Sequence, residues 1–498
     1  MDLYVFCNPH SRLTVRFLLL LYFASWCLNT VSVITVKSCM EEERRALLTF
    51  KQHRTDLNDR LSSWVGHECC GWRGISCNNR TGHVSKLDLR NTYTFSEEWN
   101  YTRYDQSFLR GKLNPSLLAL KHLSYLDLSS NDFQGIHIPN FIGQLTNLRY
   151  LNLSYSNFSG EIPPSLGNLS NLNYIDLANY DVSSKNLNWL SHLSSLKYLN
   201  LGGANLSSTG VSWLHHVNML PSLLELHLSD CHLDGNQLPR SLDPINFTSL
   251  LVLDMSYNYY LFNSSFPSWF FNLSNLVELD LSGNLLSASF LNNLTSLKSL
   301  EHLDLYGCEL HGQLPKLVGN LCKLKSLNLG GNNFDGAGIS KFMSGFSNCS
   351  YNRMESLDLS YCGLGSEIPD SIGNLSSLKT LALYGNRMNG SIPESLGQLS
   401  QLVDLYLSWD SWSSYDYNHT NRWRGILTES HFINLTRLKS FKVSTERPMS
   451  LIFNMAYDWI PPPLGYNTRG LVHDDIFPSP QIRFNLQPNP GKASIPTQ

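Results

Sequence analysis

The sequence predicts an α/β solenoid, with short strand-and-turn units stacked side by side behind a cysteine-stapled N-terminal cap. Three observations carry this expectation. Leucines recur in a fixed unit, clearest from Leu375 to Leu402. There Leu375, Leu378, Leu381 and Leu383 are followed by Asn386, Gly390, Ile392, Pro393, Leu396 and Gly397, and the unit restarts 24 residues on at Leu399. The unit then recurs along most of the chain. Finally, Cys39, Cys69, Cys70 and Cys77 crowd ahead of the first unit. In the pair Leu381-x-Leu383 the alternation of a strand points both leucines inward. The carboxamide of Asn386 has donors and acceptors for backbone groups that lose strand partners at a sharp turn. One such unit cannot bury its apolar face alone, whereas a stack shares a continuous core.

Strand cores of this kind begin at Leu87, Leu126, Leu151, Ile175, Leu199, Leu226, Leu253, Leu279, Leu303, Leu327, Leu357, Leu381, Leu405 and Phe441. This period is that of the leucine-rich repeat. Longer steps mark insertions at Asn91–Phe108, near Asn348–Arg353 and at Ser411–Arg424, which a solenoid carries in loops. The turn position holds Asn131, Asn258, Asn284, Asn332 and Asn386, but Cys231, Cys308 and Cys362 elsewhere. These three cysteines are expected to be buried, reduced and structural, and not metal ligands. At 498 residues the chain is too long for one ordinary core, a ceiling that a stack does not have. A formal net charge of −3, with no long basic block, argues against nucleic acid as a partner.

Residues 1–32 are expected to be a secretory signal: Arg12 and Arg16 precede a short apolar run from Phe17 to Leu28. The cap follows over residues 38–83. Glu41–Lys51 sets Ala46, Leu47 and Phe50 on one side of a helix, and Leu61, Trp64 and the cluster Cys69-Cys70-Gly-Trp72-Arg-Gly-Ile-Ser-Cys77 come next. In a secreted chain these cysteines should be oxidised. Adjacent Cys69 and Cys70 make a strained ring, and sequence alone does not choose among the pairings. A zinc site is the other possibility, without a second CxxC or a His pair to support it. The repeats occupy residues 84–445 and an irregular tail residues 446–498.

The run Glu43-Arg-Arg-Ala-Leu-Leu-Thr-Phe50-Lys, then Leu61 and Trp64, then CCGWRGISC, then Gly82-His-Val-Ser-Lys-Leu-Asp-Leu89 resembles the N-terminal cap of plant extracellular leucine-rich-repeat proteins. The resemblance implies Cys39–Cys69 and Cys70–Cys77 bonds. Gly160-Glu-Ile-Pro163, Glu367-Ile-Pro369 and Gly390-Ser-Ile-Pro393 resemble the plant-type repeat, whose Gly-x-Ile-Pro element forms a second strand on the flank. Cys322 and Cys349 precede consecutive strand cores, where neighbouring turns can bring them together. Similar pairs occur in plant receptors of this kind; a bond and two lone thiols are both open.

Leu451-Ile-Phe-Asn-Met-Ala-Tyr-Asp-Trp459-Ile-Pro-Pro resembles a segment of plant receptor-like proteins of the ethylene-inducing xylanase receptor type. In that family further repeats, a capping domain, one membrane span and a short cytoplasmic tail follow. Here Pro463–Gln498 loses the leucine period and is rich in proline. The tail is therefore expected to be mobile, the last repeat to end on an open edge, and the chain to stop short of a membrane span. Localisation follows as the secretory pathway, then the cell surface if a longer form carries that span, otherwise the extracellular space.

Fifteen Asn-x-Ser/Thr sequons occur. Glycans are expected at Asn79, Asn100, Asn168, Asn205, Asn246, Asn263, Asn272, Asn293, Asn374, Asn389, Asn418 and Asn434. The other three sequons are Asn152, Asn157 and Asn348.

Catalytic fingerprints are missing: there is no GxSxG, HExxH, phosphate loop or dinucleotide motif, and the sixteen histidines are scattered. An enzyme, a metal and a cofactor are not expected. The concave sheet is the candidate for function, because the outward residues of strands about 4.8 Å apart form columns. One column reads Tyr125, Tyr150, Tyr174, Tyr198, Glu225; the next reads Asp127, Asn152, Asp176, Asn200, His227. The tyrosines, Asp127, Asp176 and His227 are the expected ligand contacts. The same residues suit a structural role, with the aspartates bridging neighbouring strands. The resemblance implies extracellular recognition of a protein or peptide in plant defence or development, with signalling delegated to a co-receptor kinase. The alternatives are a secreted inhibitor of a microbial cell-wall hydrolase, similar to polygalacturonase inhibitors, and a truncated product without independent function.

Overall fold

The computed structural model describes residues 39–444 except 94–100, 243, 247, 263–265, 288, 315–320, 335–337, 347–348, 350–351 and 409–420. Beyond these it describes the backbone of Leu451–Phe453 and Gln481–Arg483. The signal segment, most of the tail and the sequons Asn100, Asn263, Asn348 and Asn418 lie outside the described residues.

The cap begins with the helix Glu41–Gln52, which buries Ala46, Leu47 and Phe50. Its Glu43 is 3% exposed and acts as a tie to the repeats. One carboxylate oxygen accepts from the backbone N–H of Val84 at 2.7 Å and the other meets His83 Nδ1 at 3.0 Å. Cys39 is bonded to Cys69 and Cys70 to Cys77. The indoles of Trp64 and Trp72 stack 5.6 Å apart in the same core. The pairing implied by the resemblance is the one observed, and it leaves no thiolate at the cap for zinc.

Among the described residues one sixteen-stranded sheet runs the length of the stack. Ile75–Cys77 from the cap pairs antiparallel with Val84–Asp88 and covers the first edge. Parallel strands then follow in chain order, from Val84–Asp88 through Tyr125–Asp127 and Tyr150–Asn152 to Ser440–Ser444. Their register is in phase: Leu87 faces Leu126, Leu126 faces Leu151, and so on to Leu405 facing Phe441. The predicted strand cores therefore stack directly, and their leucines join one core that extends from Cys39 to Val443. At the far end the backbone of Gln481–Arg483 pairs antiparallel with Ser440–Ser444. The expected open edge is thus paired over these residues, so strand groups there have partners.

The turn asparagines form a ladder. Asn386 is fully buried; its Nδ2 donates to the carbonyls of Leu359 at 2.8 Å and Leu383 at 2.9 Å. Its Oδ1 accepts from the N–H of Cys362 at 2.9 Å and of Leu364 at 3.1 Å. Asn258 and Asn332 repeat this set. Where cysteine stands instead, its Sγ takes over part of the donor role: Cys231 to Leu201 O at 3.2 Å, Cys308 to Leu281 O and Cys362 to Leu329 O at 3.1 Å. All three thiols are free and buried, and burial pushes those of Cys308 and Cys362 up to about 12.

Opposite the sheet, short 3-10 turns such as Pro164–Asn168 and Glu394–Gln398 return the chain. They press so closely on the next repeat that a Cβ on Gly167 would lie 2.7 Å from the carbonyl oxygen of Trp189. On the flank, Phe158–Glu161 pairs with Ile136–His137 and Asp181–Ser183, and Asn389–Gly390 pairs with Arg422–Trp423. Two of the three Gly-x-Ile-Pro-like segments thus contribute a second strand; Glu367–Pro369 does not. Cys322 and Cys349 are joined by a disulfide.

Candidate ligand-binding face

Because the strands are in register, the outward residue before each first leucine meets its equivalent one strand away. Tyr125, Tyr150, Tyr174 and Tyr198 therefore stack ring on ring, with centroids 4.1, 4.2 and 4.1 Å apart and planes within 10°. Such pairs add roughly 0.5–1.5 kcal/mol each beyond their area burial. A cation closes one end of the stack, with Lys86 Nζ 4.3 Å from the Tyr125 centroid. The imidazole of His227 closes the other, 5.1 Å from Tyr198.

Asp127 and Asp176 depart from the expectation that they face a ligand. Asp127 is 1% exposed and Asp176 7%. Asp127 accepts the hydroxyls of Tyr125 and Tyr150, each at 3.3 Å, and both the N–H and the hydroxyl of Ser129. Asp176 accepts from the N–H of Ala178 at 3.2 Å, with the Tyr174 hydroxyl 3.5 Å away. Burial pushes the Asp176 carboxyl above the usual carboxylate range. These carboxylates sit under the tyrosine row and hold its hydroxyls, so the rings and not the aspartates meet solvent.

His227 lies at a change of character. Its Nδ1 is 3.6 Å from the Asp254 carboxylate and its Nε2 3.8 Å from that of Glu225. Burial lowers its pKa, yet the carboxylates outweigh this and the imidazole stands above its usual value. Beyond it the column turns acidic through Asp254, Asp280 and Asp304. Burial, with Asp304 and Asp254 nearby, pushes the Asp280 carboxyl up to about 6.

Sequence reasoning missed Lys86, Asp88 and Arg90, which begin the columns. Lys86 and Asp88 occupy the same strand positions as Tyr125 and Asp127, so the register of the first strand was the available signal. Arg90 donates to the Tyr125 hydroxyl at 3.1 Å.

The sequon asparagines Asn79, Asn157, Asn168, Asn205, Asn246, Asn272, Asn293, Asn374, Asn389 and Asn434 are exposed. Asn168, Asn272 and Asn374 each end a 3-10 turn on the side away from the sheet. Asn152 alone of the described sequons lies in the sheet columns, with its Oδ1 accepting from Ser154 N and Oγ. No helix among the described residues is long and apolar enough to cross a membrane.

Family models match the cap as a leucine rich repeat N-terminal domain over residues 40–78. They match leucine rich repeats over residues 121–182, 299–321, 320–343, 353–375 and 377–399. Receptor-like protein EIX2 of Solanum lycopersicum is 44% identical over 77% of this chain and 37% of its own length. Receptor-like protein EIX1 of the same plant is 37% identical over 54% of this chain and 26% of its own length. This chain thus spans well under half of those relatives. The ectodomain of the Arabidopsis receptor kinase HAESA, solved with an N-terminally extended IDA peptide hormone, shares the fold. It aligns with a TM-score of 0.52 at 23% identity, over 83% of this chain and 70% of that one. By its cap and its repeats, the chain is a leucine-rich-repeat protein similar to the receptor-like proteins of plants.

Proposed function

We propose that the chain is an extracellular recognition module that binds a protein or peptide ligand on its sheet face, in plant defence or developmental signalling. The observation that carries this is the row of four stacked tyrosines. It offers rigid apolar edges and hydroxyl tips at little entropic cost, since the rings are already fixed by one another. The face performs no chemistry in this reading, and a partner kinase receptor passes the signal on. HAESA was solved with a peptide hormone bound, which supports a peptide-sized ligand, and the family context supports passage through the secretory pathway to the cell surface. The exposed sequons on the side away from the sheet suit glycans that leave this face open.

The resemblance to xylanase receptors makes an ethylene-inducing xylanase the first probe. Its binding to the immobilised secreted chain is measured for wild type, Tyr150→Ala and Tyr174→Ala. Central tyrosines of this kind should weaken binding by about ten-fold or more. Undiminished binding by variants that melt like wild type would remove the sheet face from the interaction.

A further inference from the structure

The cap and the first strand enclose a cleft of about 300 Å³ lined by Arg60, Arg73, Ser76, Lys86, Asp88 and Arg90. Four cations thus face one carboxylate. Asp88 is already engaged by Arg90, at 2.6 and 2.9 Å, and by Lys86 at 3.1 Å. Burial raises its pKa, but these hydrogen bonds outweigh that and hold the carboxyl below its usual range.

Arg60 is fixed by neutral acceptors only: the carbonyls of Ser107, Leu89 and Arg90 and the Oδ1 of Asn131, at 2.7–3.0 Å. Among the described residues no carboxylate touches its guanidinium. Arg73 is exposed, and its guanidinium has neither a hydrogen bond nor an ion pair among the described residues. Burial pushes the Arg60 guanidinium down; the nearby Asp56 carboxylate works against this and the like charge of Arg73 adds to it. The position of Arg73 is set by the next residue. Gly74 has φ +84, and a Cβ there would lie 2.4 Å from the Asp88 carbonyl oxygen, so the cap chain is pressed onto the first strand. Two arginines are therefore held at one cleft without a direct ion pair among the described residues, in a chain whose formal net charge is −3.

The cleft opens onto the tyrosine row through Lys86 and Arg90, which contact Tyr125. We propose that it anchors a carboxylate of an acidic peptide segment whose backbone then runs along the tyrosine hydroxyls. A peptide suits this face better than an acidic sugar, because the tyrosine faces are occupied by one another and leave only edges and hydroxyls. Backbone amides and carbonyls match such a rim. The proposal rests on the sheet face being the ligand surface.

The probe is a short blocked oligo-aspartate peptide carrying a fluorophore, with the matching oligo-asparagine peptide as control and tri-galacturonate as the acidic-sugar arm. Polarisation is read on the secreted chain in low-salt buffer, for wild type and Arg73→Glu. Arg73 lends only its backbone to the cap, so melting should be unchanged. The expected result is that oligo-aspartate binds about ten-fold more tightly than oligo-asparagine and that Arg73→Glu or added salt removes the difference. Equal binding of the two peptides, no effect of Arg73→Glu, or tighter binding of tri-galacturonate would overturn the proposal. The xylanase assay separates the two ideas. Loss in Tyr174→Ala but not in Arg73→Glu sinks the anchor alone, and retention in both sinks the sheet-face reading as well.

Discussion

Asn386→Ala tests the asparagine ladder most directly. The side chain is fully buried and serves five backbone groups from two neighbouring strand-turn units. Truncation to Ala strips the acceptor from two buried donors, the N–H groups of Cys362 and Leu364. A buried group left unmade costs about 1–3 kcal/mol, so the two donors together give roughly 2–6 kcal/mol, less whatever a water entering the vacated volume restores. Asn386→Cys should cost less than Ala, because Cys362, one repeat earlier, reaches the Leu329 carbonyl at 3.1 Å from the same position. Denaturant unfolding of the secreted chain ranks the three proteins. Because repeat arrays need not unfold in one step, amide exchange should be read as well. Protection should fall first at Cys362 and Leu364. Unchanged stability in Asn386→Ala, or a Cys variant worse than Ala, would refute the ladder as the turn's support.

Two further outcomes follow from the cap and the acidic stretch. Cys69→Ser opens the Cys39–Cys69 bond and should destabilise the cap by roughly 2–5 kcal/mol, read as protease sensitivity between Glu41 and Cys77 and as lower secretion. An unchanged secreted yield and digestion pattern would count against the cap as a folding requirement. Asp280→Asn should raise the melting temperature above pH 6 and leave it unchanged well below the ordinary carboxylate range. The folded carboxyl titrates near 6, above its unfolded value, so wild type gains stability as pH falls through 6 and loses it as pH rises. A pH-independent difference between the two proteins would refute this account.

The repeat register was legible because a leucine at each strand position has one role, burial, whichever neighbours it meets. The ladder was legible where asparagine kept the common spacing, as at Asn258 and Asn332. It was missed at Asn179, one residue nearer its strand, and at Asn421, which follows the insertion. Both nevertheless donate to two buried carbonyls. The candidate site was legible as a column of tyrosines but not as a stack, since ring geometry depends on the exact register of strands 24 to 27 residues apart. The surplus charge at the cap was not legible, because Arg60, Arg73, Lys86 and Arg90 are spread over 31 residues that only the fold brings to one cleft.

The aspartate column shows why residue type alone does not assign a role on this face. At position 88 the carboxylate is an ion-pair partner, held by Arg90 and Lys86 from its own strand segment. One strand on, Asp127 has disappeared beneath two tyrosine hydroxyls and serves as their acceptor. Past His227, where Val252, Glu278 and His302 stand in place of the stacked tyrosines and the next strands again carry aspartate, Asp280 holds its proton to about pH 6. The three residues are equivalent in register, so the difference comes from the side chains beside each carboxylate, on its own strand and on the strands next to it. The face consequently changes sign along its length, from surplus cations at the cap to clustered carboxylates beyond His227. A ligand lying along it would meet a field that distinguishes its two directions, and the neutral tyrosine row between them would supply contact without opposing either end.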